Sequence, residues 1–181
     1  MTVRCRPWRV FRLAFCLWIG LFLLSCTARD TTALSLLLGA VRSQSALPAG
    51  DVYVLPDSPS LRALNTTDTQ GQSVRVADAA LLSAAFGEGG GKSMPSLLSG
   101  VDDGAMRFAT AASPCELIVL HCVSRAEADK VATLLHERLD ILRREHADDD
   151  GVLADARVVV IGKYALLVIC NDTEAALHAL Q

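Results

Sequence analysis

The sequence predicts an α+β fold. A single mainly antiparallel sheet of about four strands carries a long amphipathic helix packed on one face, in the order β-β-α-β-β-α, preceded by short helices. Three observations support this. Residues 116–122 (Glu-Leu-Ile-Val-Leu-His-Cys) form a short apolar run at strand length, and residues 125–145 repeat their apolar positions at helical spacing. Residues 157–170 then form two apolar runs separated only by Gly162-Lys163.

The elements are taken in chain order. From Ala33 to Ser43, Leu34, Leu37, Leu38 and Val41 lie on one helical stripe, and the helix ends before a turn made by Pro48 and Gly50. Asp51–Leu55 reads as a short strand ended by Pro56 and Pro59, and Asn65–Ser73 as a solvated loop rich in Thr, Asp, Gln and Gly. Asp78 is the predicted N-cap of a second short helix reaching Phe86. Leu97, Leu98 and Val101 read as an apolar turn before Asp102-Asp103-Gly104, and Ala105–Thr110 as a strand turned back by Ser113-Pro114.

In Glu116–Cys122 both alternating faces are apolar, which predicts a strand covered on each side. Ser124-Arg-Ala-Glu127 has the spacing of a capping box, in which the hydroxyl accepts from the amide three residues on and the Glu reaches back. The helix it opens presents Ala128, Val131, Ala132, Leu135, Leu139 and Leu142 to the core. Gly162 at the first central position suits a two-residue type II′ turn. Asn171, with Glu174 three residues along, is the predicted cap of a last helix through Leu177 and Leu180.

The amino-terminal stretch has a different character. Four of the 17 Lys and Arg (Arg4, Arg6, Arg9, Arg12) fall in residues 1–25, which hold no acid, leaving 13 basic against 20 acidic side chains in the remainder. An acidic chain of this kind lacks the clustered cations that neutralise phosphates, so nucleic acid is not an expected partner. The uncharged run Leu13–Leu24 has the length of a signal-peptide apolar region and is shorter than the roughly 20 residues that cross a bilayer.

That run ends in Leu23-Leu24-Ser25-Cys26 and resembles the lipobox of bacterial lipoproteins. The resemblance implies cleavage between Ser25 and Cys26 and a lipid on the Cys26 thiol. The expected organisation is a signal peptide (1–25), a polar tether (26–32), a helical and loop-rich lead-in (33–96) and an α+β domain (97–181). An uncleaved single-span anchor and a freely secreted product remain as alternatives. All three put the mature chain outside the cytoplasm, because the Arg cluster stays inside.

Candidate chemistry is sparse. Gly87-Glu-Gly-Gly-Gly-Lys-Ser93 approaches a P-loop, but the required first Gly would fall at Phe86, so no nucleotide is expected. Asp148-Asp149-Asp150 lacks the alternation and closing Glu of a calcium loop. His121, His136, His146 and His178 have no zinc-ligand spacing, and there is no C-x-x-C, G-x-S-x-G or S-x-x-K. The expectation is therefore no metal, no cofactor and no catalytic residue. Of the cysteines, Cys122 and Cys170 close two core strands and are candidates for a disulfide, with small buried hydrophobes as the other reading for both and for Cys115. Glu116 is a candidate ligand contact, or else a rim carboxylate paired with Arg107 on the preceding strand.

Pro114-Cys-Glu116-Leu-Ile-Val-Leu, Ala126-Glu-Ala128 with Val131 and Leu139, and Val158-Val-Val-Ile-Gly162-Lys-Tyr164-Ala-Leu-Leu-Val together resemble the lipoprotein-associated family called domain of unknown function 4358. The likeness covers about residues 97–180. It departs in the acidic Asp148–Asp150, where the family has an aromatic-bearing loop, and does not extend to Tyr53–Gly91. It implies a small exported domain behind a lipobox and supplies no catalytic residues. The function expected is a membrane-tethered extracytoplasmic module without catalysis, which binds an envelope protein or ligand or serves as an accessory of a larger envelope complex. A small extracytoplasmic enzyme with a site of dispersed residues is the alternative.

Overall fold

A computed structural model describes residues 31–181 apart from 46, 48, 49, 70, 87–97, 148 and 149. Ser25 and Cys26, the Gly-rich stretch 87–93 and the acidic pair 148–149 therefore lie outside the described residues.

The chain runs α1 (Ala33–Ser43), β1 (Val52–Val54), α2 (Pro59–Ala63), β2 (Val74–Val76), α3 (Ala79–Phe86), β3 (Val101–Arg107) and β4 (Glu116–Cys122), then α4 (Arg125–Glu145), α5 (Asp150–Ala154), β5 (Arg157–Ile161), β6 (Tyr164–Ile169) and α6 (Thr173–Ala179). The class is α+β, but the sheet corrects the expectation of about four strands in β-β-α-β-β-α order. It has six strands, ordered β2-β1-β3-β4-β6-β5, and it is mixed because β1 and β2 run parallel. The two added strands come from the stretch expected to be a helical and loop-rich lead-in. The first, β1, is the short strand expected at Asp51–Leu55; the second, β2, follows the loop expected over Asn65–Ser73 and, at three residues, is too short for alternation to show, being defined by its parallel pairing with β1.

Helices cover both faces. On one, α4 lays Val131, Leu135, Leu139 and Leu142 over Ile118, Leu120, Leu167 and Ile169. On the other, α1 and α6 cover Leu117, Val119, Leu166 and Val168 with Leu34, Leu37, Leu38 and Ala176. Successive residues of β4 thus feed alternate cores, which is why its run is apolar throughout. Residues Thr32–Gln181 form one compact unit.

Local chemistry places the ends of the elements. The Ser124 hydroxyl accepts from Glu127 N at 3.2 Å, while the Glu127 carboxylate turns outward to Lys130 Nζ at 2.7 Å, so one half of the expected capping box carries the cap. Gly162 takes φ 59° and Lys163 does not take a positive φ, the pattern of a type II′ turn between β5 and β6. The cap of α6 is Asp172, whose carboxylate accepts from Ala175 N at 2.9 Å, one residue beyond the Asn171 expected.

β3 differs most from its expected form. It starts at Val101 rather than Ala105, and its register on β4 shifts between Val101 and Asp103, leaving Asp102 as the extra residue of a β-bulge. Gly104 comes next, at a point of close approach: a Cβ there would lie 2.8 Å from both Leu120 Cδ2 and Leu55 Cδ1. Leu120 and Leu55 are buried and have little room to retreat. Gly104→Ala is expected to destabilise the domain by about 1–3 kcal/mol through overpacking. A urea titration measures this, and a midpoint equal to that of the parent protein would contradict the packing described.

Candidate functional site

Two polar clusters sit at opposite ends of the central strands. The first is built on Glu116, the opening residue of β4. Its side chain is fully buried and points to the α4 face, in line with Ile118 and Leu120. Arg138 reaches it from α4 in a two-pronged pair, Nε to Oε1 at 3.0 Å and Nη2 to Oε2 at 2.9 Å, and Ala109 N donates to Oε2 at 2.9 Å. Burial pulls the Arg138 guanidinium down, but the hydrogen bond and charge of Glu116, with Glu145 adding, leave it above its ordinary value.

Arg107 is therefore not the partner of Glu116. It pairs in register with Leu117, which belongs to the opposite face, and its guanidinium lies beside Gly50. Burial holds that guanidinium below its ordinary value.

A cleft of about 380 Å³ opens over Arg138, lined by Leu142, Glu145, His146 and the Ala109–Ala111 turn. Both carboxylate oxygens of Glu116 are already occupied beneath it. As a ligand contact Glu116 has nothing exposed to offer; its chemistry is to anchor α4 to the sheet.

The second cluster is His121, Asp102 and Tyr164. The bulge in β3 turns Asp102 outward, where its Oδ1 lies 2.5 Å from His121 Nδ1. The His121 and Tyr164 rings meet edge to face with centroids 4.7 Å apart. Burial pushes the Tyr164 phenol up, with Asp103 and Asp102 adding to the shift. A carboxylate facing Nδ1 fixes the proton there and leaves Nε2 of a neutral ring as an acceptor. That is the base-and-orienter half of a proton-transfer site. The next hydroxyl along the chain, Ser124, is committed to capping α4. As it stands, the cluster can hold one hydrogen-bonding group at the rim. Neither Asp102 nor Tyr164 stands out as a site residue in the sequence, because the bulge that brings Asp102 to His121 has no local signature and Tyr164 meets His121 through the β4–β6 register.

Cys115, Cys122 and Cys170 are buried, and each stands unbonded in the structure. The candidate pairing of Cys122 with Cys170 is ruled out by register, which leaves the alternative reading of buried thiols for both. Cys122 N donates to Lys163 O at the start of β6, whereas Cys170 lies just past the end of that strand. At about 3.3 Å per residue the two are on the order of 20 Å apart, far beyond the reach of a disulfide. They also belong to different cores. Burial pushes both thiols up to about 11, with Asp102 and Glu127 adding at Cys122.

The acid that does most for the fold is Asp103, which the sequence presents as part of a turn. It is only 4% exposed. Its Oδ2 accepts from Ala33 N at 2.8 Å, and its Oδ1 from Ser60 N at 2.9 Å and Gly104 N at 3.0 Å. Ser60 Oγ accepts from Leu34 N at 2.9 Å, and Thr32 Oγ1 from Ser35 N at 3.2 Å. Three of the amides left open at the start of α1 are thereby satisfied by three different segments.

Among the described residues no group of three or more His, Cys, Asp or Glu is placed to hold a metal ion, and no helix is long and apolar enough to cross a membrane. Comparison with protein-family models, with curated proteins and with solved structures finds no match.

Proposed function

We propose that this chain is an extracytoplasmic lipoprotein, held on the membrane by lipid at Cys26, whose α+β domain is a non-enzymatic binding or accessory module. The observation that carries this reading is the order of the first 26 residues: four Arg, an uncharged apolar run, then Leu23-Leu24-Ser25-Cys26. Polar Thr27, Arg29, Asp30 and Thr31 come directly after, so the apolar run does not lengthen into a span. A single acyl chain grips a membrane only marginally, whereas two or three together hold firmly.

The non-enzymatic reading is supported by how the buried acids are used. Glu116 and Asp103 are saturated by Arg138 and by backbone amides, which leaves them no capacity for acid–base work. The resemblance of residues 97–180 to an exported lipoprotein-associated family points the same way. The partner is then an envelope protein or ligand met at the membrane face.

Growth with a palmitate analogue tests the anchor. The parent protein is expected to take up label and Cys26→Ala to lose it entirely. Equal labelling of the two would overturn the lipid assignment.

A further inference from the structure

The register of β4 on β6 points to a cysteine pair that spacing along the chain does not reveal. Every paired position from Glu116–Ile169 to His121–Tyr164 keeps one offset. Cys122 N bonds Lys163 O at 2.9 Å, which makes Cys122–Lys163 a hydrogen-bonded pair on that same offset. Hydrogen-bonded and non-hydrogen-bonded pairs alternate along an antiparallel ladder. Glu116–Ile169 is then hydrogen-bonded and is the last pair of the ladder; the same offset carried one position beyond the strand ends sets Cys115 opposite Cys170, at a non-hydrogen-bonded position.

That is the geometry a cross-strand disulfide needs. In such pairs the Cα atoms lie about 4.5 Å apart with side chains on the same face, within the range a disulfide spans. Alternation puts Cys115 on the face of Leu117 and Val119, and Cys170 belongs to the core that those two residues share with Leu166 and Val168. Both thiols are nearly inaccessible, at 4% and 1% exposure. Cys115 is close enough to couple electrostatically to Cys170 and to the buried guanidinium of Arg107, so the three groups share one neighbourhood.

We propose that Cys115 and Cys170 are the two halves of a cross-strand disulfide that closes as the domain matures, with Cys122 remaining a free core thiol. Two S–H bonds break and one S–S bond forms. The two electrons and two protons pass to a disulfide-bearing oxidant, which leaves as two thiols. Exchange proceeds through a mixed disulfide on the first sulfur, which the second then displaces. Burial pushes the Cys170 thiol up to about 11, so it is a poor nucleophile at neutral pH once folded. Closure therefore belongs to the stage when β4 and β6 have paired but α1 and α6 have not yet covered them. The bond ties the start of β4 to a residue just before the Asp172 cap of α6. Its formation in the cell rests on the proposed extracytoplasmic location, because that is where oxidised dithiols persist; its geometry does not.

The test uses full-length protein in detergent extract, blocked with a thiol-alkylating reagent at lysis and analysed for linked peptides by mass spectrometry. A second sample is unfolded under reducing conditions, refolded with oxidised glutathione and analysed in the same way. The expected result is a Cys115–Cys170 link in both samples, retained in Cys122→Ala and lost in Cys115→Ser. A link found only after refolding supports the pairing and counts against the extracytoplasmic location. Alkylated Cys115 and Cys170 in both samples, or a link made through Cys122, overturns the pairing wherever the protein resides.

Discussion

Arg138→Ala is expected to lower the unfolding free energy by about 3–5 kcal/mol, the cost of leaving one partner of a buried ion pair uncompensated. The reason lies in Glu116, which is 0% exposed while Arg138 retains only 12%. Without the guanidinium, two carboxylate oxygens face the side chains of the α4 core, and Ala109 N alone remains to satisfy them. Removing both charges is a different matter. A double variant, Glu116→Leu with Arg138→Met, swaps the pair for apolar groups of similar volume and is expected to recover most of the loss. Urea midpoints of the parent, the single variant and the double variant close the comparison. A loss below about 1 kcal/mol in Arg138→Ala would be the behaviour of an exposed pair and would contradict the burial described.

Asp103→Ala is expected to cost about 3 kcal/mol or more, because three amides lose their acceptor at once and each buried orphan costs about 1–3 kcal/mol. Two of those amides, of Ala33 and Ser60, belong to segments far from Asp103 in the chain, so the loss loosens α1 and α2 together. The negative charge at the start of α1 goes as well, adding about 0.3–1 kcal/mol. Asp103→Asn keeps the shape and one acceptor oxygen and is expected to fall between the two. Hydrogen exchange gives the local readout: the amides of Ala33 and Leu34 should lose protection before those of β4. Unchanged exchange at these amides in Asp103→Ala would show that α1 is held by its apolar face alone.

What can be read from the chain and what cannot divide along physical lines. Glu116–Cys122, the helix Arg125–Glu145 and the turn at Gly162 are legible because each carries its cause locally: a run of apolar residues, a stripe with a Ser cap, a glycine where φ must be positive. β1 is legible as the short apolar run ended by Pro56, whereas β2 is not, since a three-residue strand exists through its pairing. Of the candidate site, Glu116 is visible as an acid opening a core strand, but its expected partner, Arg107, is the wrong one. A signal for the right one is present: Arg138 interrupts the spacing of Val131, Leu135 and Leu142 on the buried side of α4, and a charge on that stripe needs a buried countercharge. The roles of Asp102 and Asp103 have no such signal, because a bulge and a cap supplied from 70 residues away are tertiary facts. The cysteines show the same division. Cys122 and Cys170 both close strands, but only the register tells which cysteine faces which.

In the proposed lipoprotein the mature chain begins at Cys26 and carries lipid there. Intact-mass measurement of the protein extracted from membranes, followed by fragmentation of its amino-terminal peptide, addresses this directly. A cleaved and lipidated chain gives a first residue of Cys26 bearing a diacylglyceryl mass on sulfur, with no peptide from residues 1–25. An unmodified Cys26 followed by Thr27 within a peptide that still contains Leu23, Leu24 and Ser25 would contradict it.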